Sequence, residues 1–326
     1  MKILIVKTSS LGDVIHMLPA VTDAIRAMPA LRIDWLVEES FAAIPAWHPA
    51  VERVVPIAMR RWKKQWTRPQ TWQQIGAARA VLQQHTYDWV IDSQGLFKSA
   101  LWSRLAHGPK AGYNSASARE PIASWFYNRS FNIARQQHAI DRNRQLMACA
   151  LGYTLDDPKP DYGLQGLASR LPPAGMALPA QTLMGLHGTS RADKLWPVEN
   201  WKALAQALAT QQRQLVLPWG NDEERLRAED IACHASNVTV LPRLGLDALA
   251  SLIDQCEAVV GVDTGLLHLA AGLGKPGLAL YTATPPALTG AVSDRHARVP
   301  LCNLSAPQEL QPSAVINTLL TALHKG

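Results

Sequence analysis

Short runs of aliphatic and β-branched residues alternate with longer segments of helical periodicity along this chain, and this alternation constrains the fold most strongly. The first run, residues 2–6, is typical of a strand buried in a parallel sheet. A polar turn follows, and apolar residues then recur at helical spacing at Val14, Leu18, Val21 and Ile25. Strands that alternate with helices predict an α/β fold with a parallel sheet and right-handed crossovers.

The same pattern continues to the end of the chain. In the first half we predict further strands over 33–37, 54–57 and 89–92 and a helix over 71–84. In the second half the predicted strands are 183–186, 214–217, 238–241, 258–262 and 277–281. The predicted helices there are 198–211, 222–234, 246–255, 265–273 and 311–324.

A proline-rich stretch over 156–182 separates the two series and is typical of an interdomain linker. The chain has 326 residues, which at about 150 residues per domain is enough for two domains. We expect doubly wound, Rossmann-like domains over 1–168 and 169–326, facing each other across a central cleft. The C-terminal helix over 311–324 is a candidate to pack back on the first domain.

The charge is concentrated in the first half. Residues 1–165 carry 20 Lys+Arg against 13 Asp+Glu, whereas residues 166–326 carry 12 against 13. Eight of the eleven tryptophans also lie before residue 126. This distribution favours an anionic partner or a membrane interface for the first domain. It does not favour nucleic acid, since the sequence has no motif of a nucleic-acid-binding module.

The cysteines Cys149, Cys233, Cys256 and Cys302 lie far apart, which argues against a disulfide framework and a zinc site. We expect them to be buried as small apolar residues in a reducing compartment. The first apolar run ends at Lys7, so no signal peptide is expected. No stretch reaches the ~18 apolar residues of a membrane span. These features predict a cytoplasmic protein with peripheral membrane contact at most.

The polar loop 8–13 follows the first strand, where a doubly wound sheet places its ligands. Gly12 permits a tight turn, and Asp13 falls at a helix start that favours its ionised form. An ionised carboxylate in this position can act as a general base toward a hydroxyl group. The alternative is a simple helix N-cap. The loop has neither the GxGxxG nor the Walker A pattern.

The segment 187–197 occupies the corresponding place after the first strand of the second domain. Thr189, Ser190 and Lys194 combine hydroxyl groups, loop amides and a cation, as a phosphate site requires. The alternative is a polar, solvent-exposed loop.

A strand also ends just before Asp263, where Thr264 and Gly265 open a helix. The amides at such a helix start can bind a diphosphate, and His268 lies one turn further on. The alternatives are a capping role for the first residues and a core position for the histidine.

The segment 60–66 contains the four cations Arg60, Arg61, Lys63 and Lys64 together with Trp62 and Trp66. A solvated charged face is the ordinary explanation of such a run. Two tryptophans four residues apart favour contact with an acidic amphiphile such as a lipid head group. Arg119 and Arg129 are candidates to extend this basic surface, with plain surface ion pairs as the alternative.

Several motifs stand in collinear order along most of the chain: 7–19, 35–39, 92–99, 119–124 with 126–129, 193–197, 218–220 and 263–268. Together they resemble the ADP-heptose:lipopolysaccharide heptosyltransferases of glycosyltransferase family 9. The Lys-Thr-Ser-Ser opening at residues 7–10 is most similar to the branch that adds the first heptose of the lipopolysaccharide inner core.

The resemblance implies a GT-B fold with the acceptor bound by the first domain and the nucleotide sugar by the second. It implies ADP-L-glycero-D-manno-heptose as donor and a Kdo sugar of Kdo2-lipid A as acceptor. The enzyme would work on the cytoplasmic face of the inner membrane and contact its anionic surface peripherally. In this scheme Asp13 deprotonates the acceptor hydroxyl and the transfer inverts the anomeric configuration. No metal ion, no cofactor and no nucleic-acid partner are implied.

The resemblance also assigns roles to individual residues. The expected donor-binding residues are Thr189, Ser190, Lys194, Glu224, Leu244, Asp263, Thr264, Gly265 and His268. The expected acceptor-binding residues are Lys7, Ser10, Arg60, Arg61, Lys63, Lys64 and Arg119. Glu224 corresponds to a ribose contact and Leu244 to an apolar residue against adenine. The family commonly has Met at position 244 and Thr at position 190, and both changes preserve the chemistry.

Two other classes of function fit a two-domain α/β chain of this kind. A sugar-nucleotide epimerase of similar fold would need no acceptor, which leaves the segment 60–66 without a role. A non-catalytic sensor of ADP-sugars would bind the nucleotide without transferring the sugar.

Overall fold

The computed structural model describes residues 1–233 and 235–323. The chain divides into two compact units, Met1–Gly163 and Leu164–Gly326. The α/β class predicted from the alternation of strands and helices is confirmed in both units.

The first unit is built on a six-stranded sheet in which every pair of neighbouring strands is parallel. Its strands are β1 (Lys2–Val6), β2 (Arg32–Glu38), β3 (Val51–Ile57), β4 (Trp89–Asp92), β5 (Lys110–Tyr113) and β6 (Arg129–Phe131). Its helices are α1 (Leu11–Ile15), α2 (Leu18–Ala27), α3 (Ala43–Trp47), α4 (Met59–Lys64), α5 (Pro69–Gln83), α6 (Phe97–Leu105) and α7 (Ala139–Leu151), with 3-10 turns at Glu39–Phe41 and Pro121–Phe126. The spatial order β3-β2-β1-β4-β5-β6 is that of a Rossmann-type sheet.

Strand β1 lies at the centre of this sheet, between β2 and β4. Ile3, Leu4, Ile5 and Val6 are completely buried, as the uninterrupted apolar run of the strand requires when helices cover both faces.

The helical pattern after β1 is divided between two helices rather than one. Helix α1 ends at Ile15, and α2 begins at Leu18 with Pro19 in its first turn. A proline has no N–H and its ring clashes with the preceding turn, so it is tolerated only where a helix begins. The break at residues 16–17 confines Asp13 to a five-residue helix.

The second unit repeats the same topology. Its strands are β7 (Thr182–Leu186), β8 (Gln214–Leu217), β9 (Val238–Val240), β10 (Ala258–Val262), β11 (Gly277–Leu280) and β12 (Cys302–Leu304). Its helices are α8 (Leu167–Arg170), α9 (Val198–Thr210), α10 (Asp222–Ala232), α11 (Leu246–Gln255), α12 (Gly265–Gly272), α13 (Pro286–Thr289) and α14 (Pro312–Leu323), with a 3-10 turn at Ala192–Lys194. The parallel order β12-β11-β10-β7-β8-β9 is the first sheet's order read from the opposite edge.

The core of the second unit is centred on two indole rings. Trp196 and Trp201 are fully buried and meet edge to face, with ring centroids 5.2 Å apart. Strand β11 lies so close to β10 that a Cβ atom at Gly277 would be 1.8 Å from the carbonyl oxygen of Val259. Only glycine fits there.

The boundary between the two units follows Gly163, five residues before the expected boundary at 168/169. Asp161 is tied to Arg26 of α2 by an ion pair of 2.9 Å. By contrast, Leu167 is buried in α8, which packs on α11 of the second unit. Residues 164–168 therefore belong to the second unit.

The C-terminal helix α14 packs against α9 and β11 of its own unit through the buried Val315 and Leu319. Its predicted packing on the first domain stays a prediction. Residue 324, the last of that predicted helix, and residue 234, the last of the helix predicted over 222–234, lie outside the described residues.

The prediction that all four cysteines are buried is wrong. The four are free thiols, and only Cys256 is buried. Cys149 lies on the solvent side of α7, Cys233 follows α10, and Cys302 begins the edge strand β12. Positions at helix surfaces and sheet edges leave even a small apolar side chain in water. Within the described residues, no helix is long and apolar enough to cross a membrane.

Candidate functional site

The loops that carry the candidate residues follow the carboxyl ends of strands in both sheets, which is where open α/β sheets bind ligands. In the first unit the candidate residues follow β1, β3 and β5, and residues that contact them follow β2 and β4. In the second unit the candidate residues follow β7, β8, β9 and β10, and Thr284, which contacts Asp263, follows β11.

Asp13 lies in the first turn of α1 and holds the end of the loop after β1 through hydrogen bonds from Ser10. Ser10 is the N-cap residue of α1, and Asp13 stands at the third helical position. Its Oδ2 accepts hydrogen bonds from the Ser10 backbone N–H at 2.8 Å and from the Ser10 hydroxyl at 3.0 Å. Its Oδ1 makes no hydrogen bond or ion pair with any described residue. The carboxylate is thus held by one oxygen and can receive a proton on the other.

Lys7 directly follows β1 at the start of this loop, and its side chain is buried. Its ammonium donates a hydrogen bond to the Ser93 carbonyl at 2.9 Å. Burial lowers the pKa of Lys7, and the carboxylates of Asp13 and Asp92 oppose this effect. Because the ammonium is buried, water screens its attraction to the Asp13 carboxylate less than it would at the surface.

The loop after β4 supports the loop after β1. Asp92 is completely buried and accepts hydrogen bonds from the Gln94 and Gly95 amides at 2.9 and 3.2 Å. Burial raises the pKa of Asp92. The Oε1 atom of Gln94 in turn accepts the backbone N–H groups of Thr8 and Ser9 at 3.0 and 3.1 Å. The two loops are therefore fixed to each other directly before Ser10.

The basic residues of segment 60–66 lie on α4, after β3. Arg61 forms a bidentate pair with Glu39, with N···O distances of 3.0 and 2.9 Å. The Arg60 backbone N–H donates to Glu38 at 3.1 Å. Lys63 and Lys64 are exposed. These contacts join α4 to the loop after β2 and leave the two lysines to face solvent.

Trp62 is a core residue, contrary to the expectation of two exposed tryptophans in this segment. It is 7% exposed and stacks on Trp102 of α6 at 5.8 Å between ring centroids. Trp66 is exposed. Helical spacing placed both tryptophans on one face, but Trp66 lies beyond the end of α4 at Lys64.

Asp263, after β10, is the centre of the candidate donor site in the second unit. Its Oδ2 accepts hydrogen bonds from the Lys194 ammonium and from the Thr284 hydroxyl, both at 2.7 Å. The Thr189 hydroxyl donates to its backbone carbonyl at 2.8 Å. The loops after β7, β10 and β11 therefore meet at Asp263, beyond the carboxyl ends of these strands.

Burial and the hydrogen bonds from a cation and a hydroxyl group set the ionisation of this carboxylate. Burial disfavours ionisation, but the hydrogen bonds from Lys194 and Thr284 hold the pKa of Asp263 below its ordinary value. The Nε2 atom of His268 lies 3.9 Å from Oδ1 of Asp263, and His268 is buried in α12. An ionised Asp263 keeps the Lys194 ammonium in place beside the start of α12.

Glu224 connects the loops after β7 and β8. Its Oε2 accepts the Gly220 backbone N–H at 2.7 Å. A Cβ atom at Gly188 would lie 2.7 Å from the Glu224 carboxyl carbon, so a larger residue there would require the Glu224 side chain to shift. Glu224 therefore stands against the loop that carries Thr189.

His187 anchors the base of the same loop. It is completely buried, and its Nε2 lies 3.1 Å from the Pro218 carbonyl oxygen. Burial, together with the nearby charge of Arg227, lowers the pKa of His187 to about 4. The neutral imidazole donates its Nε2–H to that carbonyl and joins the ends of β7 and β8.

The remaining candidate residues are placed less centrally. Thr264 is the N-cap of α12 and Gly265 its first residue. Ser190 is exposed in the loop after β7, Leu244 is half-buried between β9 and α11, and Arg119 is exposed after β5.

The structure brings together Lys7, Ser10 and Asp13 in the first unit. In the second unit it brings together Thr189, Lys194, Asp263 and His268. No hydrogen bond or ion pair links Ser190 or Leu244 to Asp263 within the described residues.

Sequence reasoning assigned no role to Gln94 or Thr284. Gln94 lies within the motif 92–99, which was not resolved into single roles, and the only signal for Thr284 is a polar residue just after a predicted strand. Among residues 1–233 and 235–323, no three or more His, Cys, Asp or Glu side chains are grouped so as to hold a metal ion.

Comparison with known proteins identifies the family. The model of glycosyltransferase family 9 (heptosyltransferase) matches residues 75–316. Lipopolysaccharide heptosyltransferase 1 of Escherichia coli (strain K12) is 47% identical over 292 residues, which cover 89% of this chain and 90% of that protein.

Solved structures agree with the sequence comparison. The Escherichia coli heptosyltransferase WaaC with ADP matches at a TM-score of 0.90 and 43% identity, over 99% of this chain and 100% of that chain. The same enzyme with ADP-2-deoxy-2-fluoro heptose matches at 0.85 and 43%, over 98% of each chain. The chain therefore belongs to glycosyltransferase family 9, the heptosyltransferase family, and is a glycosyltransferase of the GT-B fold.

Proposed function

We propose that the chain transfers L-glycero-D-manno-heptose from ADP-L-glycero-D-manno-heptose to a Kdo residue of Kdo2-lipid A, adding the first heptose of the lipopolysaccharide inner core. The observation that carries this proposal is the 47% identity to lipopolysaccharide heptosyltransferase 1 over 89% of the chain. The solved relative with ADP-2-deoxy-2-fluoro heptose supports the choice of donor.

In the proposed reaction Asp13 is the general base. Its Oδ1 accepts the proton of the acceptor hydroxyl while Ser10 holds Oδ2 in place. The hydroxyl oxygen forms a bond to the anomeric carbon, and the bond from that carbon to the phosphate oxygen breaks. ADP leaves with the electron pair, and attack from the opposite face inverts the configuration.

The second unit stabilises the leaving diphosphate in this scheme. Lys194, held beside α12 by Asp263, supplies a positive charge. The first-turn amides of α12, after Thr264 and Gly265, supply hydrogen-bond donors and the positive end of the helix dipole. Thr189, Ser190 and His268 complete the phosphate and sugar contacts, Glu224 binds the ribose, and Leu244 packs against adenine.

The first unit binds an acceptor that carries carboxylates and phosphates. Arg60, Arg61, Lys63, Lys64 and Arg119 provide the cations for these groups, with Lys7 and Ser10 next to the reacting hydroxyl. Because the acceptor is a lipid, we place the reaction at the cytoplasmic face of the inner membrane, with peripheral protein contact.

Transfer of radiolabelled heptose from ADP-heptose to Kdo2-lipid A by the purified protein tests the proposal, with and without chelator. We expect labelled product in both cases. Binding of ADP-heptose without product would instead favour the sensor, and a free epimerised sugar made from ADP-heptose alone would favour the epimerase.

A further inference from the structure

Four large apolar side chains of the first unit face solvent on two adjacent elements. Phe97 and Leu101 of α6 are 40% and 43% exposed, and Ile122 and Trp125 of the 3-10 turn Pro121–Phe126 are 41% and 81% exposed. Residues four apart on an α-helix share a face, as do residues three apart on a 3-10 turn. We refer to these four residues as the Phe97–Trp125 patch.

The two elements of the patch form one surface. The rings of Phe97 and Phe126 meet edge to face with centroids 5.6 Å apart. The Phe97 backbone N–H donates to the Glu120 carboxylate at 2.7 Å. The start of α6 is therefore attached to the start of the 3-10 turn, and the two elements that carry the four apolar side chains pack against each other.

Exposed cations lie beside both elements of the patch along the chain. Lys98 follows Phe97 on α6, while Arg119 and Arg129 flank the 3-10 turn. The wider segment 60–129 has 11 Lys+Arg and only 3 Asp+Glu. One of these acids, Asp92, is buried, and Glu120 is engaged with Phe97. Aromatic side chains set among uncompensated cations are the composition of surfaces that bind anionic bilayers.

The second unit offers a contrast. Its exposed large apolar side chains, Leu226 and Leu288, lie singly on α10 and α13. Such scattered residues are ordinary for a protein surface. The clustered patch on the first unit requires a specific partner.

We propose that the Phe97–Trp125 patch is the surface by which the protein contacts a bilayer of anionic lipids. Trp125 and its apolar neighbours enter the interfacial layer, and Lys98 and Arg129 bind the head groups. The identity of this bilayer as the one that holds the acceptor rests on the proposed function. The contact itself does not require any transfer reaction.

Co-sedimentation with vesicles tests this surface in the full chain. Vesicles of phosphatidylethanolamine with phosphatidylglycerol are compared with vesicles of phosphatidylcholine alone. We expect binding to the anionic vesicles and, for Trp125→Ser combined with Ile122→Ser, a loss of affinity of about tenfold or more. The matched control is Leu226→Ser, which removes an exposed apolar side chain from the second unit and should bind like the parent.

Unchanged vesicle binding of the double variant would overturn the proposal. A change in sedimentation velocity without vesicles, from dimer to monomer, would do so as well, because the patch would then be covered by a second copy. Heptose transfer to a detergent-dispersed acceptor is measured in parallel. Normal transfer without vesicle binding would overturn only the proposed membrane contact. Vesicle binding without transfer would overturn only the proposed function.

A second, independent observation concerns Gln94, which is 6% exposed. Its Oε1 accepts two backbone N–H groups, so the orientation of the amide is fixed and Nε2 is turned away from Thr8 and Ser9. Nε2 donates no hydrogen bond to any described residue. The neighbouring hydroxyls of Thr8 and Ser93 are likewise without a partner among the described residues.

We infer that Gln94 is an acceptor-binding residue whose Nε2 donates a hydrogen bond to an oxygen of the acidic acceptor sugar. Unpartnered donors this deeply placed require an acceptor from outside the chain or from water. The buried Lys7 ammonium favours a negatively charged oxygen at this place. The assignment deepens the proposed function and rests on it for the identity of the sugar.

The variants Gln94→Glu and Gln94→Ala separate binding from support of the loop. A glutamate still accepts the Thr8 and Ser9 amides but cannot donate. We expect both variants to raise the acceptor KM about tenfold and to leave the donor KM unchanged. Only Gln94→Ala should lower the Tm. Gln73→Glu on the exposed face of α5 is the matched control.

A parent-like acceptor KM in Gln94→Glu would contradict the assignment, because Gln94 would then only support the loop. Affinity for Kdo2-lipid A is also measured without donor. A loss of that affinity in Gln94→Glu supports the contact even if the chain transfers a different sugar, so the two failures are distinguishable.

Discussion

At the scale of single residues, Asp13 has two roles, and the effects of losing them must be separated by the choice of substitution. It is the proposed base through Oδ1, and it holds the loop after β1 through Oδ2. Asp13→Ala removes both, whereas Asp13→Asn preserves an oxygen that can accept from Ser10 but is not basic. The pair of variants therefore separates the chemistry from the local structure.

We expect Asp13→Ala and Asp13→Asn each to lower kcat at least about 100-fold, as the loss of a general base does. Donor binding should be largely intact in both, measured by titration with ADP-heptose. Asp13→Ala alone should also lower the free energy of unfolding, by about 1 kcal/mol, through loss of the capping contact. Near-normal turnover of the asparagine variant would exclude Asp13 from the mechanism.

Lys194 is predicted to act on the donor alone. Lys194→Gln removes the charge-assisted hydrogen bond to Asp263 and the proposed contact with the diphosphate. We expect the donor KM to rise about tenfold or more with little change in the acceptor KM. Lys202→Gln, which removes a half-buried, ion-paired lysine from α9, is the control. Equal changes in the two KM values would contradict a donor role.

His187 predicts an acid-sensitive second unit. Its pKa is about 4 in the folded chain, below the ordinary value of 6.5. The unfolded chain therefore takes up this proton first, and the contribution to stability is complete above about pH 6.5. It is lost as the pH falls toward 4, by about 3 kcal/mol in total. Urea unfolding across this range should show a smaller pH dependence for His187→Gln, while an unaltered dependence would assign the effect to other groups.

At the scale of elements, the sequence predicted the strands rich in aliphatic or β-branched residues and missed three others. Strand β1 was evident because four consecutive completely buried residues must be apolar. Strands β5, β6 and β12 have only three or four residues each and were missed. None of the three contains a β-branched residue, unlike the equally short β4, β8 and β9, and their pairing depends on neighbours distant in the chain.

The candidate site shows the same limit. The polar loops after β1, β7 and β10 were recognised because each follows a clear apolar run. Thr284 contacts Asp263 across 21 positions of sequence, and Gln94 contacts Thr8 across 86. Contacts of this kind follow from the strand order, which the sequence alone does not specify. Trp62 was misplaced because its stacking partner, Trp102, belongs to another helix.

Glycine at the start of β11 is predicted to be essential for the second sheet. At Gly277, φ is +151° and an added Cβ would collide with the Val259 carbonyl. We expect Gly277→Ala to destabilise the chain by several kcal/mol, on the order of 3. In the exposed helix α5, Gly76 has no atom near an added Cβ, so Gly76→Ala should stabilise by about 0.5–1 kcal/mol. Thermal unfolding of both variants checks the opposite signs.

At the scale of the whole molecule, the two units have the same strand order but different charge. The basic residues of α4 belong to the first unit, and the anionic acceptor is proposed to bind there. The donor contacts proposed around Asp263 belong to the second. Changes of charge in one unit should therefore alter the binding of one substrate.

We expect simultaneous replacement of Arg60, Arg61, Lys63 and Lys64 by glutamine to raise the acceptor KM more than the donor KM. The long-range attraction for the acceptor is lost, and the remaining acceptor binding should depend less on salt. The control removes the same charge from the second unit, by replacing Arg170, Lys275, Arg295 and Arg298. Steady-state kinetics at low and high ionic strength measure both. A similar rise in the two KM values would count against an acceptor role for α4.

The exposed thiols give this enzyme natural attachment points for spectroscopic labels. Cys149 stands on α7 in one half of the chain, and Cys302 on β12 in the other, while Cys256 is buried away from reagents. With Cys233 changed to serine, a donor and an acceptor fluorophore can be attached without introducing any new cysteine. Energy transfer between them would then report, in solution and during turnover, whether the separation of the two halves changes when each substrate arrives.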